Sequence, residues 1–301
     1  MRQPLIPYVR KLVMKKILLT LLALFVLASG AGLLFYPDIS NWYNSRIHTG
    51  LVQAYNEEIA RMGNTQIEEH FRRAREHNEA LIGGHRIADP FSSDSAGALP
   101  SMDYLEILNV GGMMAQIEIP AINVRLPVFH TTRAAVLERG VGHIEATSFP
   151  VGGKSTHAAL TGHSALPHSK IFTDLEELVV GDLFFITVLN QMLAYEVDQI
   201  TVTLPHETQA LRIVEDADYI TLITCTPYAI NTHRLLVRGT RIPYEAGMEH
   251  TIEPVAEENM DWRVIVLIVL AVIFLLLLVI FKLKDRRSDF GTTRKDVRHI
   301  K

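Results

Sequence analysis

The sequence predicts a mainly β body, an antiparallel barrel or sandwich, carried on N-terminal helices and bounded by two apolar runs. Three observations predict it. From about residue 105 to 244, short β-branched or apolar stretches follow one another, separated by turn residues. Before them, residues 41–82 repeat apolar positions at helical spacing. Outside both, residues 17–35 and 264–281 carry no charged side chain, and each approaches the roughly 20 residues that cross a bilayer as a helix.

The first run follows Arg10, Lys11, Lys15 and Lys16, and Lys282, Lys284, Arg286 and Arg287 follow the second. The excess of positive charge beside each run places both ends in the cytoplasm and the body between them outside the membrane. Residues 17–35 fit an uncleaved anchor. A basic start, an apolar stretch and the small residues Ala28, Ser29, Gly30 and Ala31 also describe a secretory signal peptide. The expected layout is a cytoplasmic N-terminus at 1–16, a transmembrane helix or signal anchor at 17–35 and helices over 36–82. A loop region at 83–104 and the β body at 105–245 come next, then a linker at 246–263, a transmembrane helix at 264–281 and a basic cytoplasmic tail at 282–301.

Within the helical segment, Leu51, Ala54, Tyr55 and Ile59 recur at i, i+3, i+4 and i+8, and Gly63 and Asn64 separate two helices. Residues 83–100 shift to Gly, Ser, Asp and Pro, a loop composition, and within them sits Asp89-Pro90-Phe91. An aromatic in a polar loop needs a surface to pack on. Strands are expected over 115–119, 123–129, 158–161, 183–189, 193–202, 219–224 and 235–241.

Charge excludes one class of partner. Residues 38–261 hold 15 basic and 30 acidic groups, although the whole chain is only −4. A body so acidic is unsuited to nucleic acid, whose phosphates need a basic surface. Gly152-Gly153-Lys154-Ser155-Thr156 lacks the upstream glycine of a phosphate loop. His163 to His168 has no carboxylate or thiol cluster beside it, so the sequence calls for no metal and no cofactor.

The single cysteine, Cys225, carries the first chemical hint. An exported body with one thiol forms no internal disulfide, and such a thiol is either a small core hydrophobe or a reactive group. Cys225 ends the apolar run Tyr219-Ile220-Thr221-Leu222-Ile223-Thr224 and precedes Thr226-Pro227, where the proline should end strand pairing. Nine residues on, Arg234 opens the next strand, and a turn joining the two strands would return its guanidinium to the thiol. A cation there favours thiolate and can stabilise an oxyanion. A thiol nucleophile also needs a proton carrier, usually His. Among 13 histidines, His163 is presented at a strand end beside Gly162, and His143 and His157 have equal weight on spacing alone.

The segments Thr221-Leu222-Ile223-Thr224-Cys225-Thr226-Pro227-Tyr228 and Asn231-Thr232-His233-Arg234-Leu235-Leu236-Val237-Arg238-Gly239 resemble the signature of sortases, specifically class C, the pilin-polymerising enzymes of Gram-positive bacteria. Thr161-Gly162-His163-Ser164-Ala165-Leu166-Pro167 is similar to that family's histidine motif, and Ala165 and Ala229 depart from the pattern. The resemblance covers roughly residues 40–245. It implies a sortase-type eight-stranded β-barrel and a cysteine transpeptidase with Cys225 as nucleophile, His163 as proton donor and acceptor, and Arg234 as the oxyanion-side cation. The substrate it implies is a Leu-Pro-x-Thr-Gly-like sorting signal, cleaved through a thioester and joined to a lysine of another pilin. Asp89-Pro90-Phe91 is similar to the class C lid motif, which implies Asp89 paired with Arg234 and Phe91 laid against Cys225. Two other readings stand beside it: a housekeeping sortase that anchors proteins to the cell wall, and a non-catalytic surface-binding protein on the same barrel.

Overall fold

The computed structural model describes residues 6–82, 87, 89–91, 101–166, 169–245 and 248, with five positions between 267 and 275. Its contacts divide the chain into two units, residues 1–255 and 256–301, and every element named below belongs to the first. The expected linker at 246–263, span at 264–281 and tail at 282–301 lie almost wholly outside the described residues.

Helix α1 runs unbroken over Ile6–Arg61, through Pro37, so the apolar run at 17–35 continues directly into the helix that docks on the body. Leu18, Leu22, Phe25, Val26 and Leu33 are exposed on it. Among the described residues no helix is long and apolar enough to cross a membrane. The expected spans therefore gain no support from the fold, because only part of the 17–35 side chains and few of those at 264–281 are described.

Helix α1 buries His48, Val52, Tyr55 and Ile59, a stripe at spacings of four, three and four residues. The expected stripe is thus rotated, with Val52 inward and Ala54 exposed. Tyr55 Oη donates to Met114 O at 3.1 Å and accepts from Leu189 N at 2.9 Å, which fastens α1 to the body. After the break at Gly63, α2 (Asn64–Ala80) buries Ile67, Phe71, Ala74 and Asn78 at the same spacings. The Asn78 amide donates to Phe149 O at 3.1 Å and accepts from Phe149 N at 2.7 Å, standing in for a strand neighbour. A short helix α3 (Met102–Glu106), capped by Ser101, buries Tyr104.

The body is a closed eight-stranded barrel: β1 (Ala115–Ile119), β2 (Val124–His130), β3 (Val141–His143), β4 (Thr156–Thr161), β5 (Leu183–Val188), β6 (Gln191–Thr203), β7 (Asp218–Thr226) and β8 (His233–Ile242). Its strand order is β1-β2-β3-β4-β7-β8-β6-β5, so closure leaves no free sheet edge. It is not wholly antiparallel, because β2 pairs parallel with β3 and β4 pairs parallel with β7. Parallel neighbours require crossover connections. Helix α4 (Ala134–Leu137) lies in the first, and β5 and β6 lie in the second.

Alternate residues of β4, β7 and β8 enter different apolar clusters. Ala158, Leu160, Ile220, Leu222, Leu235 and Val237 join the main core, whereas Ala159, Ile223 and Leu236 form a second cluster with Ile144 and Leu211. That division follows the two-residue period of a strand. Both faces are covered, which explains why these strands read as continuous apolar runs. Ile87 and Phe91 of the loop region pack on the second cluster.

Candidate active site

Strand register assembles the site. The parallel β4–β7 ladder runs from Thr156 opposite Asp218 to Thr161 opposite Ile223. Two residues further along both chains, His163 and Cys225 come level. On the other side, the antiparallel β7–β8 ladder puts Cys225 opposite Arg234. The three residues therefore form one row across neighbouring segments, with strand spacings of about 4.8 Å. Cys225 and Arg234 lie two residues beyond Ile223 and before Leu236, on the face that carries the second apolar cluster. The ladder ends at Thr226, immediately before Pro227.

Beyond β4 the histidine segment is pinned at several points. Gly162 N donates to Ile223 O at 3.1 Å, and Phe172 N donates to His163 O at 3.0 Å. Thr224 Oγ1 donates to Gly162 O at 2.8 Å, and Ser164 Oγ to Cys225 O at 2.7 Å. Gly162 is required by space: a Cβ there would stand 2.7 Å from Ile171 Cγ2 and 2.9 Å from Phe172 Cδ2. Ala165 and Ala229 both have φ 62°. A side chain costs about 1–2 kcal/mol in that left-handed region, so these positions suit glycine.

A loop covers the row. Asp89 accepts from Arg234 through both oxygens, Nε to Oδ1 and Nη2 to Oδ2, each at 2.8 Å. The paired side chains retain only 11% and 10% exposure. The remaining guanidinium nitrogen, Nη1, donates to Asn231 O and His233 O. The Phe91 ring lies 5.4 Å from the His163 ring and 5.0 Å from the Arg234 guanidinium carbon. Ile87 is held as well, its carbonyl accepting from Thr208 Oγ1 at 3.2 Å.

This cover sets the protonation of the site. Burial, and then the charge of Asp89, push the Cys225 thiol up, against the opposing pull of Arg234. Burial pulls His163 down, with a smaller opposing effect of Glu138. The resting thiol and imidazole are thus both held toward their neutral forms. Asp89 meanwhile occupies the face of the guanidinium fork that an oxyanion would need.

The rival histidines are committed elsewhere. His143 is fully enclosed, with Tyr104 Oη 2.9 Å from Nδ1 and Ser148 O 2.8 Å from Nε2, and burial lowers its pKa to about 3. His157 donates to Arg212 O and meets Thr221 Oγ1 through Nε2, and burial lowers its pKa to about 4. Neither side chain has a free nitrogen to exchange protons with the thiol. Lys154 pairs with Asp216 and Gly153 N with Asp218, a turn anchored by carboxylates. Among the described residues, no group of three or more His, Cys, Asp or Glu could hold a metal ion.

Residues 117–242 match the family described as Sortase domain. The chain is 39% identical to Streptococcus agalactiae sortase C1, aligning 66% of its own length with 98% of that structure at a TM-score of 0.62. The chain belongs to the sortase family. Sortases are cysteine transpeptidases, and the structural neighbours of this one are of class C. Streptococcus pneumoniae sortase C-1 is 43% identical, with 64% of this chain on 97% of that one and a TM-score of 0.60. Actinomyces oris sortase C-1 is also 43% identical, with coverages of 60% and 99% and a TM-score of 0.57. Bacillus anthracis sortase A is more distant, 26% identical over 172 residues, or 56% of this chain and 75% of that protein.

The cover of this sortase makes a reactivity prediction. Removing both Asp89 and Phe91 takes away the acidic neighbour and the part of the burial that the loop supplies, both of which raise the thiol. In the variant with Asp89→Ala and Phe91→Ala, the pH profile of Cys225 alkylation should move to lower pH. At neutral pH the rate should rise about tenfold for each unit of pKa lost, since the thiolate is the reacting form. Thermal unfolding should shift by only a few degrees, because the freed guanidinium meets water instead of staying buried. Identical alkylation profiles in variant and parent would show that the segment does not guard the thiol.

Proposed function

We propose that this sortase polymerises pilins. The Cys225 thiol gives its proton to His163, and the thiolate attacks the Thr carbonyl carbon of a Leu-Pro-x-Thr-Gly-like signal. Arg234, released from Asp89, steadies the oxyanion. As the Thr–Gly bond breaks, the imidazolium returns the proton to the departing Gly amine, and the acyl group remains on sulfur as a thioester. A lysine amine of a second pilin then attacks, His163 takes its proton, and the thiol leaves reprotonated as the isopeptide bond forms.

The observation that carries this reading is the Asp89–Arg234 pair closed over the row of His163, Cys225 and Arg234. It occurs in a chain 39–43% identical to solved sortase C1 enzymes. One of those neighbours, Streptococcus pneumoniae sortase C, is described for its catalysis and pilin substrate specificity. We further propose that the barrel stands outside the membrane with both ends of the chain in the cytoplasm. The uncharged runs at 17–35 and 264–281 and the basic residues beside them support that placement.

One experiment tests both proposals. Carbonate-washed membranes bearing the full chain are incubated with a purified pilin that carries the signal and an acceptor lysine. The expected product is a ladder of covalent polymer that resists detergent, with isopeptide-linked peptides in its digest. Signal cleavage without a ladder would favour attachment to the cell wall. Loss of the chain from the washed membranes would remove the tether.

A further inference from the structure

We infer that Ser164 is a positioning residue that fixes the proton carrier to the nucleophile's own backbone. The inference rests on the roles proposed above for Cys225 and His163. Strand β4 ends at Thr161, so the two residues that follow reach the level of Cys225 without a continuing ladder. Four contacts hold Gly162, His163 and Ala165 there, from Gly162 N to Ile223 O, Thr224 Oγ1 to Gly162 O, Phe172 N to His163 O, and Ala165 N to Thr173 Oγ1. None of them ends on Cys225. The Ser164 hydroxyl does, donating to the Cys225 carbonyl at 2.7 Å across 61 residues of sequence.

The closed cover shows when this bond matters most. At rest, the ring of Phe91 lies 5.4 Å from that of His163 and supports it from the lid side. When the lid withdraws to admit substrate, that support goes, and the four contacts above and the Ser164 bond remain. Among the described residues, the Ser164 bond then ties the histidine segment to the nucleophile's residue itself. Ala165, at φ 62°, turns the chain immediately after Ser164. Proton transfer tolerates little error in geometry, and a misplacement of about 1 Å can cost on the order of 100-fold in rate.

The test compares Ser164→Ala and Ser164→Thr in the full chain, with and without the Asp89→Ala and Phe91→Ala changes. Steady-state cleavage is followed with a quenched fluorescent peptide bearing a Leu-Pro-x-Thr-Gly signal. Ser164→Ala should lower kcat about tenfold with KM and melting temperature unchanged, and Ser164→Thr, which keeps the hydroxyl, should restore most of it. The loss should be about the same in the lid-opened background, because the parent also turns over with Phe91 withdrawn from His163. Equal kcat for Ser164→Ala and its parent in the same background, or equal losses for Ala and Thr, would overturn the inference. Cys225→Ala is assayed alongside: a dead Cys225→Ala beside a fully active Ser164→Ala defeats this inference alone, whereas an active Cys225→Ala defeats the roles on which it rests.

Discussion

Replacing Cys225 with Ala should abolish both cleavage of the sorting signal and formation of polymer while leaving the barrel folded. The chain has one cysteine, so no second thiol can take over the acyl group. Alanine removes one sulfur from a side chain that is 8% exposed at the end of β7, where the surrounding hydrogen bonds are made by the backbone. A change of that size in a partly covered site costs little stability compared with deletion of a large core group. Circular dichroism and melting temperature should therefore stay close to the parent, while the covalent pilin ladder and the acyl-enzyme mass both disappear. A ladder made by the alanine variant would take Cys225 out of the chemistry.

The sequence made some of this site legible and hid the rest for identifiable reasons. The ends of β7 and β8 could be read from Pro227, which cannot continue a ladder, and from the apolar runs on either side. Their pairing then follows from the short turn, and Cys225 stands opposite Arg234. The parallel pairing of β4 with β7 was not legible, because the two-residue alternation of a strand is indifferent to its direction. That pairing is what brings His163 level with the thiol. Strand β3, three residues long, is too short to produce a pattern.

The choice among histidines was hidden for a different reason. His143 and His157 match His163 in type, and what separates them is contact with residues remote in sequence, Tyr104 for one and Arg212 for the other. The loop offered a partial signal, since an aromatic among Gly, Ser and Asp must pack somewhere. Its partners, the His163 ring and the Arg234 cation, became visible only in the folded chain. The Ser164 hydroxyl gave no periodic signal at all, because its partner is a backbone carbonyl 61 residues away.

The lid is held more firmly than a surface ion pair would hold it. Exposed pairs contribute about 0–1 kcal/mol, but Asp89 and Arg234 are nearly enclosed and joined by two charge-assisted bonds. Opening therefore needs a competitor that supplies its own contacts to the guanidinium and the second apolar cluster. On the roles proposed for this site, a peptide whose carbonyl oxygen meets the Arg234 fork would be such a competitor, binding an open form at the expense of the closed one.

Arg234→Lys should separate the two jobs of that side chain by moving two measurements in opposite directions. Lysine keeps the charge but loses the planar fork that holds Asp89 through Nε and Nη2 and reaches the turn through Nη1. Without the fork the lid loses its bidentate latch, so Cys225 in the resting enzyme should react faster with a small alkylating reagent. Without the same fork the developing oxyanion loses a placed donor, an effect worth about 100-fold to 1,000-fold in turnover. A more accessible thiol combined with far slower signal cleavage is thus the expected pair of results. Lysine's shorter head group still leaves a cation near the sulfur, so the loss should fall mainly on kcat and not on the fraction of thiolate. Near-parental cleavage in the lysine variant would reduce Arg234 to a latch for the lid, and slow cleavage with unchanged alkylation would leave it an oxyanion donor that does not control the lid.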